Sequence, residues 1–400
     1  MNKTSFLKQA GQGGNVMLTG QAGTGKSTLI NAFLQTAGDD VAVTASTGIA
    51  ALNIGGSTLH RWSGMMLGPR RGEDPRQHLR ELLRDKRQSV RAGLDRVRGR
   101  RVLIIDEVSM LSGTTLAFFD LLCRTVRRND APFGGIQVIA TGDYLQLPPV
   151  RTNPAEPYDW AFQAECWKRA RCAVIQLIKV HRQEEPELLQ ALGEFRLGRI
   201  SPRSADLLAS RVVSCPCADI PRLFTHNAQV DRWNDYRLGC IEAPETVYQA
   251  RVAGPEHQID FLRKNLLTPD RLVLKPGAKV MFTVNKPDAG FVNGQTGTVI
   301  VCGRDEVLVD CDGMPLRVGV HEWLFDPRDR HSATFNQLPL RLAWSLTIHK
   351  AQGLTLDSAY IDVRAAREPG QAYVALSRVR TLAGLNLKAW FGGVFVSRAA

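Results

Sequence analysis

The segment GQAGTGKST, residues 20–28, has the residue types and spacing that bind a triphosphate. Gly20, Gly25, Lys26 and Ser27 fit the pattern G-x-x-x-x-G-K-[ST]. Glycines let backbone N–H groups curl around phosphate oxygens, Lys26 can neutralise the β and γ oxygens, and the Ser27 hydroxyl can bind magnesium. An apolar strand precedes this loop and a helical segment follows it, so the context favours a nucleotide site over a structural glycine turn.

A second apolar run, RVLIIDEVSML, ends in Asp106 and Glu107. An acid at the carboxyl end of a parallel strand beside a phosphate loop is typical of magnesium binding. The adjacent Glu107 can orient and deprotonate an attacking water. The alternative, two acids at an exposed strand end, is weaker because the nucleotide site needs both.

A third strand, Ile136–Thr141, is followed by Asp143, Gln146 and the pair Pro148–Pro149. The prolines fix their own φ angles and force the preceding residue out of the helical region. Gln146 is thus a neutral amide held at the end of a buried strand. We expect it to lie at the γ-phosphate of ATP and to respond to whether that phosphate is present.

Composition limits the class of protein. The chain has 400 residues, 44% hydrophobic and 22% charged, which is typical of a globular protein with more than one domain. No apolar stretch approaches the ~20 residues of a membrane helix, and the N-terminus has no signal or transit pattern. These features predict a cytoplasmic protein (nucleoid-associated if bacterial) with no membrane partner. A formal charge of +12 favours a nucleic-acid partner, although plain solubility would account for it too.

The eight cysteines lack paired metal-binding spacing, which predicts reduced thiols. Cys215 and Cys217 form only a Cys-x-Cys, for which buried thiols are the favoured interpretation over a metal site.

A series of motifs resembles, in order, those of the petite-integration-frequency type of DNA helicase, the RecD-like branch of helicase superfamily one. The similarity extends from about Asn15 to Phe391. Besides the two nucleotide motifs, the similar segments are Thr44–Met65, the stretch FFDLLCRTVRRNDAPFGGIQVIATGDYLQLPPV, LIKVHRQ (Leu177–Gln183), WSLTIHKAQGLTLD (Trp344–Asp357) and QAYVALSRVR (Gln371–Arg380).

The resemblance implies an α/β fold with two RecA-like P-loop lobes in tandem. The first lobe would carry a small basic insertion with a strand-separating wedge, and the second a small Src-homology-three-like β-barrel. The insertion has about twelve basic residues against about five acids, so a solvated basic helix is the alternative interpretation. Residues 276–318 alternate apolar and polar positions between turns, which also favours a small antiparallel barrel. The expected ranges are 1–65 and 101–175 for the first lobe, 66–100 for its insertion, 176–275 and 336–400 for the second lobe, and 276–335 for the barrel.

The resemblance also implies roles for particular residues. Arg182 and Arg378 would act as arginine fingers in catalysis together with Lys26, Asp106, Glu107 and Gln146. The alternative for Arg378 is a solvated helix arginine. Contacts to the nucleotide would come from Gly20, Ala22, Gly23, Thr24, Gly25, Lys26, Ser27, Thr28 and Gly353, and magnesium would be bound by Ser27 and Asp106.

Phosphates of a nucleic-acid strand accept hydrogen bonds from hydroxyls, imidazoles and lysines. The family's corresponding residues contact the sugar–phosphate chain, which here implies Ser57, Thr58, His60, Thr347, His349 and Lys350. Trp62 or Trp323 could stack on a base, although a tryptophan in an apolar setting is more often part of the core. Relatives commonly read adenine through a glutamine motif before the phosphate loop, for which this chain offers only Gln9 and Gln12.

These observations favour an ATP- and Mg²⁺-dependent, monomeric DNA translocase and helicase. By family likeness it would move 5′→3′ along single-stranded DNA and act at single-strand/duplex junctions. Two alternatives stay open: a P-loop nucleotide switch or binding module without motor activity, and an RNA-directed translocase. A simple switch has no need of the segments THNAQ, TIHKAQG and VALSRV, which favours the motor.

Overall fold

The computed structural model describes residues 2–38, 40–65, 68–151, 155–214, 220–291, 293–325 and 332–390. Its contacts divide the chain into two compact units. The described residues of unit 1 lie within 2–182 and 368–370, and those of unit 2 within 183–367 and 371–390. The chain thus passes into unit 2 only after Arg182, beyond residue 175, at which the sequence analysis ends the first lobe. Cys215 and Cys217 lie outside the described residues.

Unit 1 is built on a parallel six-stranded sheet in the order β3-β2-β4-β5-β1-β6. The strands are β1 (Val16–Gly20), β2 (Val41–Ala45), β3 (Ser57–Thr58), β4 (Val102–Asp106), β5 (Gln137–Gly142) and β6 (Ala173–Leu177). The predicted apolar strands before the phosphate loop, before Asp106 and before Gln146 are β1, β4 and β5. Because these three are neighbours, their carboxyl ends lie at one edge of the sheet.

Both faces of this sheet are covered. Along β4 the buried side chains alternate: Leu103 and Ile105 belong to one apolar core, whereas Ile104 belongs to the other. A strand covered on both sides has to be apolar at successive positions, which explains the uninterrupted VLII sequence. The helices of unit 1 are α1 (Asn2–Gly11), α2 (Lys26–Thr36), α3 (Gly48–Asn53), α4 (Leu59–Ser63), α5 (Pro75–Arg84), α6 (Gln88–Gly99), α7 (Gly113–Arg127) and α8 (Glu165–Ala170).

The described part of the basic insertion, residues 68–100, forms α5 and α6. Their apolar side chains enter the same core as Leu103, and their members of that core are Leu79, Leu82, Val90, Leu94 and Val97. Helix α6 also packs closely against the end of α4, since a Cβ on Gly93 would lie 2.5 Å from the Cα of Gly64. The two helices are therefore amphipathic, with an apolar side that is part of unit 1 and a basic side left to solvent.

Unit 2 contains a second parallel sheet in the order β18-β7-β19-β20. These strands are β7 (Arg222–Phe224), β18 (Ser345–Thr347), β19 (Ala359–Asp362) and β20 (Leu385–Ala389), and the helices of the unit are α9 (Pro186–Leu197), α10 (Pro202–Ala209), α11 (Asn227–Gly239), α12 (Glu256–Asn265), α13 (Ile348–Ala351) and α14 (Gln371–Leu376). Buried Asn234 of α11 accepts from the Ser345 N–H at 2.9 Å and donates to its carbonyl at 3.2 Å. This pair fixes the start of β18, the strand that leads to Thr347.

The remaining strands of unit 2 pair antiparallel. They are β8 (Thr246–Gln249), β9 (Arg251–Ala253), β10 (Arg271–Leu274), β11 (Lys279–Phe282), β12 (Thr296–Cys302), β13 (Glu306–Cys311), β14 (Met314–Gly319), β15 (His321–Leu324), β16 (Thr334–Gln337) and β17 (Leu340–Leu342). Five of them form one sheet, β14-β13-β12-β11-β17, over a core that includes Val280, Val299 and Val309. The residues for which the sequence predicts a small barrel therefore include four strands of this sheet.

The fold is α/β with parallel sheets, as the sequence analysis predicts. Among the residues that the structure describes, no helix is both long enough and apolar enough to span a bilayer.

Candidate functional site

The glycine loop connects β1 to α2 and turns tightly. Gly23 and Gly25 have φ angles of 77° and 83°, in the left-handed region that favours glycine. A Cβ on Gly23 would lie 2.6 Å from the Cβ of Arg182, so the close approach of that segment also requires glycine. The Lys26 Nζ donates to the carbonyl oxygens of Gly20 at 2.7 Å and Gln21 at 3.1 Å. The Lys26 ammonium is therefore bound by backbone carbonyls of its own loop.

The segment after β6 lies along the glycine loop. β6 pairs with β1 through Gly20 and Leu177, and the His181 N–H donates to the Gly23 carbonyl at 2.8 Å. The structure therefore brings Arg182, a predicted catalytic residue, beside the phosphate loop within unit 1.

Asp106 ends β4 as a buried carboxylate. Its Oδ1 accepts the N–H of Glu107 at 2.9 Å. Burial, and next the Glu107 charge, raise the pKa of Asp106 from 3.8 to about 7, while the Lys26 ammonium opposes this shift. A carboxylate kept from full ionisation by its surroundings is a group that a nearby cation would stabilise, which is the chemistry of a metal ligand.

Glu107 adopts a strained backbone conformation. Its φ and ψ angles are 50° and 43°, a left-handed conformation that residues with a side chain rarely adopt. Ser46 holds the residue there, because its Oγ donates to the Glu107 carbonyl at 2.7 Å and its N–H to the Asp106 carbonyl at 3.0 Å. Strain of this kind clusters at functional sites, which is consistent with a catalytic Glu107.

Gln146 lies in a tight loop after β5. Its N–H donates to the Asp143 carbonyl at 2.9 Å and its Nε2 to the Asp143 carboxylate at 3.3 Å. The side chain is 3% exposed. The preceding Gly142 passes close to the turn after Glu107, since a Cβ there would lie 3.2 Å from the Val108 nitrogen. The structure thus buries Gln146 and bonds it to Asp143, in the loop that follows the end of β5, and that strand end lies against the turn after Glu107.

Arg378 belongs to unit 2, two residues after α14. It is 2% exposed, so the alternative interpretation of a solvated arginine is wrong. Its Nε donates to the Val374 carbonyl at 2.7 Å and its Nη2 to the Ser377 Oγ at 2.8 Å. The Gln183 side chain donates to the carbonyls of Ser377 and Val379 on either side. Gly353, the other nucleotide residue predicted outside unit 1, follows α13 in unit 2 with a φ of 85°.

The predicted nucleic-acid residues fall on two similar local structures, one in each unit. In unit 1, β3 ends at Thr58, whose Oγ1 accepts the Arg61 N–H at 3.3 Å and caps α4. In unit 2, β18 ends at Thr347, whose Oγ1 accepts the Lys350 N–H at 3.2 Å and caps α13. In both, a histidine follows two residues after the threonine. Each cap leaves the threonine O–H as a donor at the carboxyl end of a parallel strand.

Burial changes the acidity of two of these groups. The pKa of His60 is lowered by burial, so its imidazole is mostly neutral near pH 7. The pKa of Lys350 is lowered by burial and by the nearby Arg341, while Asp231 opposes the shift. His349 is exposed, and Ser57 is partly exposed on β3. Hydroxyl and imidazole donors for phosphate are therefore present in both units, and unit 2 adds the Lys350 ammonium.

Comparison with known proteins identifies the family. The sequence model of the family described as "PIF1-like helicase" matches residues 5–194. "ATP-dependent DNA helicase Pif1" of Bdellovibrio bacteriovorus is 36% identical over 393 residues, which cover 97% of this chain and 87% of the relative. The chain belongs to the PIF1-like helicase family.

Solved structures of PIF1-like helicases agree with this assignment. Bacteroides sp. Pif1 in complex with ADP-AlF4 has a TM-score of 0.84 and 31% identity, covering 98% of this chain and 92% of that chain. Bacteroides Pif1 bound to single-stranded DNA has a TM-score of 0.66 at 31% identity over the same shares of both chains.

The donor set of this PIF1-like helicase fits magnesium. Within the described ranges, no group of three or more His, Cys, Asp or Glu side chains could hold a metal ion. Magnesium in a nucleotide site does not need one, because it keeps waters and phosphate oxygens and takes only one or two protein ligands. Buried Asp106 and the Ser27 hydroxyl, at the second residue of α2, are groups of the types that such a site uses.

The two tryptophans considered for base stacking lie in cores. Trp62 is 6% exposed and packs against Phe119 in unit 1. Trp323 is 9% exposed and packs against Phe335 in unit 2. The structure therefore supports the core interpretation for both.

Sequence reasoning missed the residues that surround the loops in this PIF1-like helicase. His181, whose backbone binds the glycine loop, is an ordinary member of the motif that contains Arg182. Gly370, whose backbone contacts Gln146, follows a proline, and the Pro-Gly pair indicates a turn. No local pattern in the sequence indicates the distant loop that Gly370 contacts.

Proposed function

We propose that this PIF1-like helicase is an ATP-driven motor that moves 5′→3′ along single-stranded DNA and unwinds duplex DNA at single-strand/duplex junctions. One observation carries the proposal. The glycine loop, the Asp106–Glu107 pair and Gln146 end three neighbouring strands, β1, β4 and β5, at one edge of the unit 1 sheet. A purely structural sheet has no need of this set at its carboxyl edge, whereas ATP hydrolysis needs each member.

The chemistry assigned to each residue follows from its surroundings. Lys26 exchanges its bonds to the Gly20 and Gln21 carbonyls for phosphate oxygens. Gly20, Ala22, Gly23, Thr24, Gly25, Ser27 and Thr28 surround those phosphates. Magnesium, when bound by Ser27 and Asp106, neutralises charge on the phosphates. Glu107 orients the attacking water and accepts its proton, and its strained backbone keeps the carboxylate in place.

Two arginines are assigned to the charge that develops in the transition state. Arg182 lies beside Gly23. The planar guanidinium of an arginine, here Arg182 or Arg378, can bind two phosphate oxygens. Arg378 donates to partners in its own unit, so in catalysis it would exchange these for phosphate. Gly353 is assigned to the nucleotide by family likeness alone.

The DNA strand would be held by backbone contacts from both units. Ser57, Thr58 and His60 of unit 1 and Thr347, His349 and Lys350 of unit 2 are the proposed donors. The shared strand, threonine cap and short helix support two RecA-like lobes in tandem. The proposed domain ranges are unchanged from those expected: lobes of 1–65 with 101–175 and 176–275 with 336–400, a wedge-type insertion at 66–100, and a Src-homology-three-like barrel at 276–335.

Stepping along DNA requires that ATP binding and hydrolysis change how tightly the protein binds the strand. We expect ATP binding to close the lobes on the strand and hydrolysis to let them open. Gln146 would carry this signal, because it is buried and bonded to Asp143 in the loop after β5, whose last residue, Gly142, lies against the turn after Glu107.

A single set of assays separates this proposal from the alternatives. ATP hydrolysis is measured with oligothymidine and with oligouridine, and strand displacement with 5′-tailed and 3′-tailed duplexes, using Lys26→Ala as the inactive control. The proposal expects oligothymidine to raise hydrolysis by orders of magnitude and only the 5′-tailed duplex to be unwound. A nucleotide switch would show neither effect, and an RNA-directed translocase would respond more strongly to oligouridine.

The monomeric form is also part of the proposal, as is a cytoplasmic location with nucleoid association in a bacterium. Sedimentation of the chain with and without a forked duplex measures the first. One chain per fork supports a monomeric motor, whereas two chains per fork contradict it.

A further inference from the structure

Three residues late in the chain belong by their contacts to unit 1, although the residues on both sides of them belong to unit 2. We call Glu368–Gly370 the return segment. It precedes α14 directly, and Arg378 follows α14 by two residues. The same short stretch of chain therefore contacts unit 1 and continues into the element that carries a proposed arginine finger.

The first end of the return segment is anchored by polar contacts. The Tyr158 hydroxyl donates a hydrogen bond to the Glu368 carboxylate. The Arg151 Nη2 lies 3.6 Å from the same carboxylate, and its guanidinium lies 4.1 Å above the Tyr158 ring. A carboxylate held by a hydroxyl and a stacked arginine loses more freedom than one in a single surface ion pair.

The second end is packed directly on the Gln146 loop. Gly370 has a φ of 73°. A Cβ at this position would lie 2.6 Å from the carbonyl carbon of Gln146 and 2.8 Å from the carbonyl oxygen of Leu145. The neighbouring atoms are backbone, so they cannot swing aside as a side chain would. Gly370 therefore packs directly against the backbone of the loop that contains Gln146.

We propose that Glu368 and Gly370 are positioning residues for Gln146, and that the return segment joins the Gln146 loop to α14 as one coupling element. Glu368 fixes the segment through Tyr158 and Arg151, and Gly370 fixes the peptide of Gln146. A shift of Gln146 on hydrolysis is then transmitted along the chain to α14 and Arg378. The inference rests on the proposed helicase activity and extends it to residues outside the helicase motifs.

The test uses two kinds of variant with matched controls. Gly370→Ala adds a Cβ against the Gln146 loop, and its control is Gly313→Ala, which has a φ of 85° but open space around the Cβ. Glu368→Gln weakens the anchor, and its control is Glu187→Gln, which removes a surface ion pair of 2.7 Å with Arg203. Each control reproduces the chemical change without the contact to the Gln146 loop.

The decisive quantity is base pairs unwound per ATP hydrolysed. Mutations in residues that couple two sites change that coupling by between about 2-fold and 30-fold. We expect a drop of this size in Gly370→Ala and Glu368→Gln, with ATP affinity within several-fold of the parent and no drop in the two controls. An unchanged ratio in both variants, or an equal drop in the controls, would overturn the inference.

Hydrogen–deuterium exchange of the Asp143–Leu147 amides tests positioning without any activity. We expect faster exchange there in Gly370→Ala and Glu368→Gln than in the parent and the controls. If Gly370→Ala does not fold, Glu368→Gln decides the outcome by the same two measurements. A parent that neither hydrolyses ATP nor unwinds DNA would refute the proposed function, whereas unchanged exchange in a folded variant refutes the positioning role alone.

Discussion

Replacing Asp106 by asparagine should make the ligand-free protein more stable, by an amount that grows with pH. Asp106 is a buried carboxylate whose pKa is raised from 3.8 to about 7, first by burial and next by the charge of Glu107. Asparagine keeps an oxygen that can accept the Glu107 N–H but cannot ionise. The variant should lose ATP hydrolysis while it gains stability. This is the trade-off between stability and activity that is expected at a functional site.

The size of this stability gain follows from the pKa of the Asp106 carboxyl in the unfolded chain and in the folded chain. In the unfolded chain the carboxyl ionises near its ordinary pKa, so between about pH 4 and pH 7 the folded state binds more protons than the unfolded state. Stability is therefore lost as pH rises through this window and levels off above it. At about 1.36 kcal/mol per pKa unit, ionising Asp106 costs about 4 kcal/mol at pH 8, and more than half of this cost arises between pH 5 and pH 8.

The assay is urea unfolding followed by tryptophan fluorescence at pH 5 to 8.5, in EDTA and without nucleotide. The stability gained by Asp106→Asn should increase by about 2 to 3 kcal/mol from pH 5 to pH 8, in the transition that reports unit 1. Glu107→Gln removes the neighbouring charge, so it should move the midpoint of the parent's pH dependence to lower pH. A gain that is the same at pH 5 and pH 8 would show that Asp106 is ionised throughout and refute the reasoning.

Three further substitutions test the proposed motor. Lys26→Ala should lower ATP hydrolysis by about 10³-fold or more while single-strand binding in nucleotide-free buffer stays near that of the parent; lost DNA binding would contradict the separation of the two sites. Single-strand affinity should fall with salt at a slope near −3.5 if about five phosphates are contacted, and Lys350→Ala should flatten it by somewhat less than one unit; an unchanged slope removes Lys350 from the DNA path. Arg378→Lys keeps the charge but loses the fork, so DNA-stimulated turnover should fall by about 10³-fold with ATP binding changed far less; turnover within a few-fold of the parent would contradict a finger.

Unit 1 could be predicted in large part from sequence because its signals are local. The glycine loop requires a strand before it and a helix after it, and the short apolar run VLII before Asp106 is typical of a strand covered on both faces. The threonine caps at Thr58 and Thr347 also follow a local rule, since a hydroxyl side chain commonly precedes a helix. Such features depend on residues within a few positions of each other.

The rest could not be predicted because it depends on residues far apart in the chain. The contact of Gly370 with Gln146 joins positions more than two hundred residues apart. The close approach of Gly93 to Gly64 makes α6 part of the unit 1 core, which the basic composition of that segment conceals. The burial of Arg378 was also missed, because an amphipathic helix indicates a solvated arginine unless its neighbours in space are known.

Two of the charged groups proposed for catalysis donate hydrogen bonds within their own unit, and a third is a buried carboxylate. Lys26 donates to two carbonyls of its own loop, Arg378 donates to Val374 and Ser377, and the pKa of Asp106 is raised to about 7 by burial and by the Glu107 charge. If ATP binds these groups as proposed, it replaces the partners that Lys26 and Arg378 have here. Part of its binding energy is then used in exchanging them, so the catalytic arrangement is completed mainly when the correct ligand is present. In a motor this is an advantage, because a catalytic site that is complete only when ATP is bound hydrolyses ATP only in that bound state.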